Sequence, residues 1–234
     1  MTLDVPSALA DLQGPVEQVL ASTPGICFFE RVRHHTFATL DDVLEKTLPV
    51  FHECLAGKTF CARCRRIGKH ANNSMDVEKY VGGGLNQNTD AAGVSLNKPD
   101  ILVKLEIRQQ ELFVVEASLP GLNGFPLGCQ EDVLSLISGG FDSAVSSYLS
   151  IRRGLMTHFC FFNLGGREHE IAVKEVALYL WMRFGSTHPV RFVAVPFEEV
   201  VGEILDKADN SQMGVELKRM MLQAAPLAGD KNNH

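Results

Sequence analysis

The stretch Ser138-Gly139-Gly140-Phe141-Asp142-Ser143 lies between an apolar run, residues 133–137, and a helical pattern, residues 144–153. A strand that is followed by a glycine turn and then by the start of a helix forms an anion-binding site. The glycines let backbone N–H groups approach a ligand, and the helix N-terminus adds unpaired N–H groups and partial positive charge. Ser138 and Ser143 add hydroxyl donors. Asp142 would repel a phosphate unless a divalent cation or a ligand hydroxyl lay between them, so the stretch predicts a nucleotide with Mg²⁺.

The spacing of this stretch differs from that of the Walker loop, and no Gly-x-Gly-x-x-Gly follows the strand. It resembles the PP-loop, Ser-Gly-Gly-x-Asp-Ser, of the ATP pyrophosphatases, which cleave ATP between the α- and β-phosphates and leave AMP on the substrate. The alternative is an ordinary Gly-Gly turn capped by Ser and Asp. The strand before the stretch and the helix after it favour the phosphate loop.

Composition sets wide limits. The chain has 234 residues, of which 45% are apolar, enough for one large domain or two small ones. No apolar run approaches the roughly 20 residues of a membrane span, and the N-terminus lacks a signal-peptide pattern, so we expect a cytoplasmic protein with no membrane partner. The six cysteines, irregularly spaced, indicate reduced thiols. The net charge of −6 argues mildly against nucleic acid, but one segment is basic.

The first half of the chain predicts an α+β unit. Its expected strands are 26–33, 59–67, 101–107 and 111–117, the last two as a hairpin, and its expected helices are 41–56, ended by Gly57, and 73 or 74 to 88. Pro49 lies inside the first helical pattern. Gly82-Gly83-Gly84 lies inside the second, so either that helix ends at Val81 or something approaches its backbone closely. An RNA backbone and a neighbouring element are the two candidates.

The second half follows a Gly- and Pro-rich stretch, residues 118–130, and alternates strands with helices. The expected strands are 133–137, 157–163 and 190–195, and the expected helices are 143–153, 168–184, 198–208 and 211–225. This alternation predicts a parallel sheet with right-handed crossovers. Ligands of such sheets bind beyond the strand carboxyl ends, where both the Ser-Gly-Gly stretch and residues 161–166 belong.

Residues 57–70 carry five basic side chains and no acidic one. Together with one histidine they make a local phosphate-binding footprint, whose alternative is a solvated strand face. The candidate RNA-binding residues are Lys58, Arg63, Arg65, Arg66, Lys69 and His70.

Two other patterns resemble metal sites and are not interpreted as such. Cys61 and Cys64 are three apart on a strand and so point to opposite faces, which predicts neither a zinc site nor a bridge. His169-Glu170 is not a His-Glu-x-x-His site, because Val173 occupies the fifth position.

Five stretches together resemble the tRNA 4-thiouridine synthetase family. Residues 57–70 and 76–86 are similar to its THUMP domain, an RNA-binding module. The remaining three are similar to its ATP domain: residues 134–143, 160–166 and 212–221. The resemblance runs from about residue 14 to residue 225, and its motifs are specific.

This resemblance implies an α+β THUMP domain followed by an α/β parallel-sheet PP-loop domain of the adenine nucleotide α-hydrolase type, the latter incomplete. We therefore expect a remnant of an N-terminal ferredoxin-like region and an unmatched tail, in which Pro226 stops the last helix. The expected limits are 1–13 for the remnant, 14–118 for THUMP, 119–130 for the linker, 131–225 for the PP-loop part and 226–234 for the tail.

The resemblance also implies a function. The enzyme uses ATP and Mg²⁺ to adenylate uridine 8 of tRNA and replaces the activated oxygen with sulfur, giving 4-thiouridine. The sulfur comes from a persulfide on a cysteine desulfurase or sulfur-carrier protein, and it also serves the thiazole of thiamine. The resemblance is compatible with a homodimer and leaves the oligomeric state open.

Matched residue by residue, the family's nucleotide site falls on ten positions, with Asp142 placed to act on the metal of Mg·ATP. These positions are Leu136, Ile137, Ser138, Gly139, Gly140, Asp142, Ser143, Phe161, Phe162 and Lys218. No cysteine matches a sulfur-transferring position, so no catalytic residue is expected within these 234 residues. The chain is therefore expected to be a truncated sulfurtransferase. The alternatives are a non-catalytic RNA-binding THUMP fragment and another PP-loop pyrophosphatase, such as an amidating synthetase.

Overall fold

A computed structural model describes residues 2–5, 11–68, 73–209 and 212–230. The chain divides into two compact units, residues 29–119 and the segments that flank them, up to Phe28 and from Pro120. Helix α1 (Gln13–Ser22) belongs to the flanking unit, so the central unit begins later than the THUMP limits of 14–118 expected from the sequence. The expected domain limits themselves remain a prediction.

The central unit is a five-stranded mixed sheet with strand order β1-β5-β4-β2-β3. Strand β2 runs parallel to both β3 and β4, and β4 forms an antiparallel hairpin with β5, as the sequence predicts. The elements are β1 (Phe28–Thr36), α2 (Leu40–Phe51), β2 (Thr59–Ile67), α3 (Ser74–Asn88), β3 (Gly93–Val94), β4 (Ile101–Arg108) and β5 (Glu111–Pro120).

Alternation along the strands decides which face of this sheet is covered. Phe60, Ala62 and Cys64 of β2 point to the same side as Val103 and Leu105 of β4, and all five are buried. Helices α2 and α3 pack on that side, where Val43, Phe51, Val77, Val81 and Leu85 complete one apolar core. The odd-numbered residues of β2, among them two of the candidate arginines, therefore belong to the opposite face.

Both helices of the central unit start with reciprocal caps. The Thr39 hydroxyl accepts from the Asp42 N–H at 3.2 Å, and the Asp42 carboxylate accepts from the Thr39 N–H at 3.0 Å. Asn73 and Asp76 repeat this arrangement at α3, which confirms the predicted helix start. Each pair satisfies N–H groups that the first turn would otherwise leave unpaired.

The predicted helix 41–56 ends early, at Phe51, although Pro49 lies inside it. The proline removes one backbone N–H and frees the carbonyl of Glu45. Both residues are exposed, so water can hydrate that carbonyl, and the helix continues long enough to bury Phe51. Turns rather than helix then lead to Gly57.

The three consecutive glycines do not end α3, which continues to Asn88. A Cβ at Gly84 would overlap the tip of Leu44 on α2, and one at Gly82 would touch Ala62 at 3.8 Å. A Cβ at Gly83 would meet nothing within 4 Å. The close approach of α2 therefore explains Gly84, so the neighbouring-element alternative holds there.

The flanking unit contains a three-stranded parallel sheet with order β6-β7-β8, as predicted. Its strands are β6 (Val133–Leu136), β7 (Thr157–Asn163) and β8 (Phe192–Pro196). Besides α1, its helices are α4 (Phe141–Arg152), α5 (Arg167–Leu180, continued by a π-helical turn at Trp181–Gly185), α6 (Glu198–Lys207) and α7 (Met213–Asp230). Among the described residues no helix combines the length and apolarity needed to cross a membrane.

The sheet of the flanking unit has an apolar core on each face, and different helices cover the two cores. Phe159 and Phe161 of β7 point to one side of the sheet, where they pack against α4 and α5. Cys160 and Phe162 point to the other side, where they pack with Phe197 and with α6 and α7. The strand is thus buried on both faces, which is why its sequence reads as a continuous apolar run.

The expectation that Pro226 stops the last helix is wrong, since α7 runs through it to Asp230. Pro226 itself is exposed, so the carbonyl that it leaves without a partner faces water. Ala224, Ala225 and Ala228, on either side of the proline, pack against the core that contains Phe162. Burial of this small apolar face outweighs the loss of one backbone hydrogen bond.

We predict opposite effects for two neighbouring glycines of α3. Gly83→Ala should raise the free energy of unfolding by about 0.5–1 kcal/mol, because it removes backbone freedom in an open position. Gly84→Ala should lower it by about 1 kcal/mol, since overpacking against Leu44 costs about 1–3 kcal/mol. Urea denaturation of both variants measures the difference. Equal stabilisation by the two alanines would show that α2 does not constrain Gly84.

Candidate functional site

The Ser-Gly-Gly loop lies at the carboxyl end of β6, where the sequence places it. The Ile137 N–H donates to the Cys160 carbonyl at 2.9 Å, which extends the sheet by one residue beyond Leu136. Helix α4 then begins at Phe141 with Gly140 as its N-cap residue, and no side chain caps it. The first N–H groups of α4 therefore have no partner inside the helix and face the loop, the arrangement that binds phosphate.

The Ser143 hydroxyl closes the loop. It donates to the Gly140 carbonyl at 3.0 Å and accepts from the Ser138 N–H at 3.2 Å. The Ser138 hydroxyl lies 3.3 Å from the Ser143 hydroxyl oxygen. Ser138 and Ser143, predicted to contact phosphate, are thus brought together across the turn, and their hydroxyls lie beside the uncapped helix start.

Gly139 adopts a φ of +80°, a conformation that a side chain disfavours. A Cβ at this position would also lie 3.0 Å from Cγ2 of Val173. Behind the loop, Nε2 of His169 lies 3.1 Å from the Ser138 carbonyl oxygen. The loop is therefore backed by the first turns of α5, an element that the sequence analysis did not connect with it.

The loop after β7 is fixed by the same helix. The Asn163 amide donates to the Glu170 carboxylate at 3.0 Å, while its oxygen accepts from the Gly165 N–H at 3.0 Å. The Lys174 ammonium, 2.5 Å from Glu170, together with the Asn163 amide, holds the pKa of that carboxyl below its ordinary value. Neighbouring residues His169 and Glu170 thus bind the two loops at this edge of the sheet.

The side chains of three predicted nucleotide-site residues lie in the protein interior. Ile137 and Phe161 belong to the core under α4 and α5, and Phe162 belongs to the core under α6 and α7. They can meet a ligand only through their backbone. Leu136, at the end of β6, is 38% exposed, so its side chain reaches the surface at this edge.

Asp142 and Lys218 both lie exposed. Asp142 is in the first turn of α4, beside the unpaired N–H groups. Lys218 follows Leu217, which packs with Phe162 and Phe197 near the strand carboxyl ends, whereas Gly229 at the other end of α7 lies beside Leu134. Helix α7 therefore runs antiparallel to the strands, and Lys218 belongs to the same edge of the sheet as the loop.

The residues around the loop fit a magnesium ion held mainly by phosphate oxygens. Asp142 offers one carboxylate, and Mg²⁺ in nucleotide sites takes one or two carboxylates plus phosphates and water. No group of three or more His, Cys, Asp or Glu residues that could hold a metal unaided occurs in the described part of the chain. A cation here would need the nucleotide as a ligand.

The basic segment is divided between paired and exposed side chains. Arg63 lies 3.3 Å from the Glu78 carboxylate, and Arg66 donates to the Ser74 hydroxyl at 3.1 Å. Arg65 and Lys58 are exposed, and within the described ranges no carboxylate pairs with Arg65. Lys69 and His70 lie outside the described residues. Glu78 also accepts from the Cys64 N–H at 2.9 Å, which satisfies a donor on the part of β2 that the short strand β3 does not reach.

The cysteines of β2 are both buried and carry free thiols, as does Cys160. Burial raises the pKa of the Cys64 thiol to about 11, and the Glu78 carboxylate adds to the rise. A thiol with so high a pKa is protonated at neutral pH and is a poor metal ligand or nucleophile. The environment of Cys64 therefore favours a packing role.

Comparison with known families agrees with this division of the chain. Residues 37–115 match the model of the THUMP domain, and residues 128–233 match that of the thiamine biosynthesis protein ThiI. The second match extends beyond residue 225, where the likeness expected from the sequence ends. The chain is thus a THUMP protein with a ThiI-type nucleotide-loop domain.

Its relatives identify the family. The chain is 56% identical over 227 residues to a tRNA sulfurtransferase of Shewanella piezotolerans and 58% identical over 213 residues to one of Psychromonas ingrahamii. These matches include 97% and 91% of this chain but only 47% and 44% of the relatives, so the chain spans about half their length. The chain belongs to the tRNA sulfurtransferase, or tRNA 4-thiouridine synthetase, family.

Solved structures share the fold. A 4-thiouridine synthetase crystallised with RNA and ATP superposes with a TM-score of 0.80 at 18% identity, over 99% of this chain and 59% of that one. PH1313 from Pyrococcus horikoshii superposes with a TM-score of 0.68 at 21% identity, over 82% of this chain and 66% of that one. At these identities the likeness establishes the architecture only.

We predict a pH dependence of stability that Cys64 causes. Its folded pKa of about 11 lies above the ordinary 9.0, so its contribution is complete below pH 9 and is lost as the pH rises toward 11. The free energy of unfolding should therefore fall less steeply between pH 9 and 11 in Cys64→Ala than in the unsubstituted chain. Cys54→Ala, at an exposed thiol, is the control. Stoichiometric zinc in the purified chain, lost only on unfolding, would contradict a packing role.

Proposed function

We propose that this chain is the RNA-binding and nucleotide-binding part of an ATP-dependent tRNA sulfurtransferase. The enzyme adenylates uridine 8 of tRNA and inserts sulfur there to give 4-thiouridine. A single combination supports this proposal: an uncapped helix start behind a Ser-Gly-Gly turn, in one chain with a THUMP domain. A synthetase acting on a small molecule has no need of the RNA-binding module, so this combination disfavours another PP-loop pyrophosphatase.

The loop residues carry the proposed nucleotide contacts. The N–H groups at the start of α4 and the hydroxyls of Ser138 and Ser143 would bind phosphate oxygens, while backbone groups near Leu136 and Phe161 would meet the nucleoside. Asp142 would hold Mg²⁺, which when bound neutralises charge on the phosphates. Lys218 would bring a second positive charge to the same edge as the phosphates separate.

The sulfur chemistry needs groups that these residues do not match. We propose that a persulfide on a cysteine desulfurase or sulfur-carrier protein supplies the sulfur, in a cytoplasmic enzyme that also serves thiazole synthesis for thiamine. A homodimeric assembly belongs to the same proposal. No cysteine of this chain is assigned a catalytic role: Cys64 and Cys160 lie in apolar cores, and Cys61 is buried on the opposite face of the central sheet.

A second candidate is an RNA-binding protein without catalytic activity. The central unit favours it, because residues 29–119 enclose a core of their own beneath α2 and α3 and do not need the nucleotide unit to bury it. Exchange of radioactive pyrophosphate into ATP separates the two functions. We expect exchange that requires tRNA in the full-length Shewanella piezotolerans relative. In the 234-residue chain, tRNA binding without exchange would favour the second candidate.

We predict that Asp142 serves the ligand and not the fold. Asp142→Ala should change the free energy of unfolding by less than about 1 kcal/mol, the size of a charge interaction with a helix N-terminus. The equivalent substitution in the full-length relative should abolish tRNA-dependent pyrophosphate exchange. Glu199→Ala, an exposed acid in the first turn of α6, is the control for lost charge. Full pyrophosphate exchange in the substituted relative would show that Asp142 is not a magnesium ligand.

We also predict unequal contributions of the arginines to tRNA binding. Arg65→Ala should reduce the slope of log K against log salt by about 0.7–0.9, the value for one phosphate contact. Arg63→Ala should reduce it less, because Glu78 already compensates its charge. Glu78→Gln, which keeps an acceptor for the Cys64 N–H, should strengthen binding. Filter binding between 50 and 200 mM salt, about the range over which such contacts weaken, measures these slopes. An unchanged slope in an Arg63/Arg65 double variant would eliminate this patch.

A further inference from the structure

We propose that His169 is a positioning residue of the nucleotide loop: it fixes the orientation of the Ser138–Gly139 peptide and so aims the Gly139 N–H. The inference rests on the proposed nucleotide function of this loop. Its basis is the contact between Nε2 of His169, on α5, and the Ser138 carbonyl oxygen, at 3.1 Å. The His-Glu pair that the sequence excludes as a zinc site thereby receives a different role.

The geometry of a peptide bond turns this one contact into control of the loop. No peptide in the described ranges is cis, so the Ser138 carbonyl and the Gly139 N–H point in opposite directions. With the carbonyl held against His169 on α5, the N–H must face away from that helix. If the peptide turned over, a carbonyl oxygen would replace the N–H on that side, and an anion there would be repelled rather than bound.

Glycine makes such a reversal easy, which is why a second residue is needed. Turning over the peptide that precedes a residue moves its φ between values near +80° and −90°, the difference between type II and type I turns. Gly139 has a φ of +80°, yet glycine tolerates both signs almost equally. The hydrogen bond from His169 selects one of two conformations that the loop sequence leaves open.

The imidazole is itself held in place. Its ring packs edge-on against Phe161, with centroids 5.3 Å apart, and Phe161 is buried in the core under α4 and α5. The next residue, Glu170, is bound to Asn163 and Lys174, which anchors the first turn of α5. His169 is itself exposed, so these two fixed neighbours, and not burial, hold its Nε2 at the Ser138 carbonyl oxygen.

The contact also sets the tautomer. A carbonyl oxygen can only accept, so Nε2 of His169 must carry the proton that it donates. Nitrogen-15 NMR of histidine-labelled chain at pH 8 should therefore show the Nε2–H form of this imidazole. An Nδ1–H form, with Nε2 unprotonated, would overturn the proposal without any ligand being added.

A matched pair of variants tests the consequence for the loop. His169→Gln keeps an N–H donor close to the position of Nε2, whereas His169→Phe keeps the ring contact with Phe161 and removes the donor. We expect millisecond exchange broadening at the amides of Gly139 and Gly140 in the phenylalanine variant only. Broadening in both variants, or in neither, would contradict the proposal. As a control, the free energy of unfolding by urea should be similar for the two variants.

Calorimetric titration with inorganic pyrophosphate and with Mg·ATP measures the effect on binding. Affinity should fall about tenfold in His169→Phe, the effect of one hydrogen bond, and recover in His169→Gln. Equal affinity in both variants would overturn the inference. An unsubstituted chain that binds neither probe would count against the proposed nucleotide function instead, and the two NMR measurements, which need no ligand, would still decide the role of His169.

Discussion

Helix α4 starts on glycine without a capping side chain, and the rest of the nucleotide-loop unit is arranged around the N–H groups that this start leaves unpaired. The two helices of the central unit differ from α4, because Thr39 and Asn73 satisfy such groups locally. At α4 the side chain available, Ser143, instead turns back to the Gly140 carbonyl. Helices α1, α5 and α6 also start without a capping side chain, so the missing cap alone does not identify a ligand site. At α4 it coincides with the Ser-Gly-Gly turn, and this combination is the basis of the phosphate site that we propose.

The central unit depends on close approach between helices rather than on an open helix end. Helix α2 can rest on α3 because Gly84 has no Cβ where Leu44 packs, which allows both helices to cover one face of the sheet. The other face carries charged side chains beside the buried Cys61, Phe113 and Val115, and some of these charges are neutralised locally, as Lys104 is by Glu30. Under the proposed function, the affinity of this unit for RNA depends on which arginines stay unpaired.

Where the sequence carries a local signal, it predicted the fold well. Strand β2 has the predicted limits, Thr59–Ile67, because alternation and the buried Phe60 define it, and α3 starts at the predicted cap. Pro226 misled at the end of α7: it lies inside the helix because neighbouring alanines are buried, which only the tertiary structure reveals. The loop residues were predicted from their order, but His169 was not, since the contact joins positions 31 residues apart.

Charge around the loop connects these observations to chemistry. The unpaired N–H groups of α4 attract phosphate, while Asp142 in the same turn repels it, so the loop alone is nearly balanced. In the function that we propose, additional positive charge would come from a cation or from Lys218, whose helix runs antiparallel to the strands and brings it to this edge. The direction of each loop N–H then matters more than usual, because no large excess of positive charge would compensate for one reversed dipole. In our proposal, the imidazole of His169 fixes the Ser138 carbonyl and so supplies that direction while remaining outside the phosphate site.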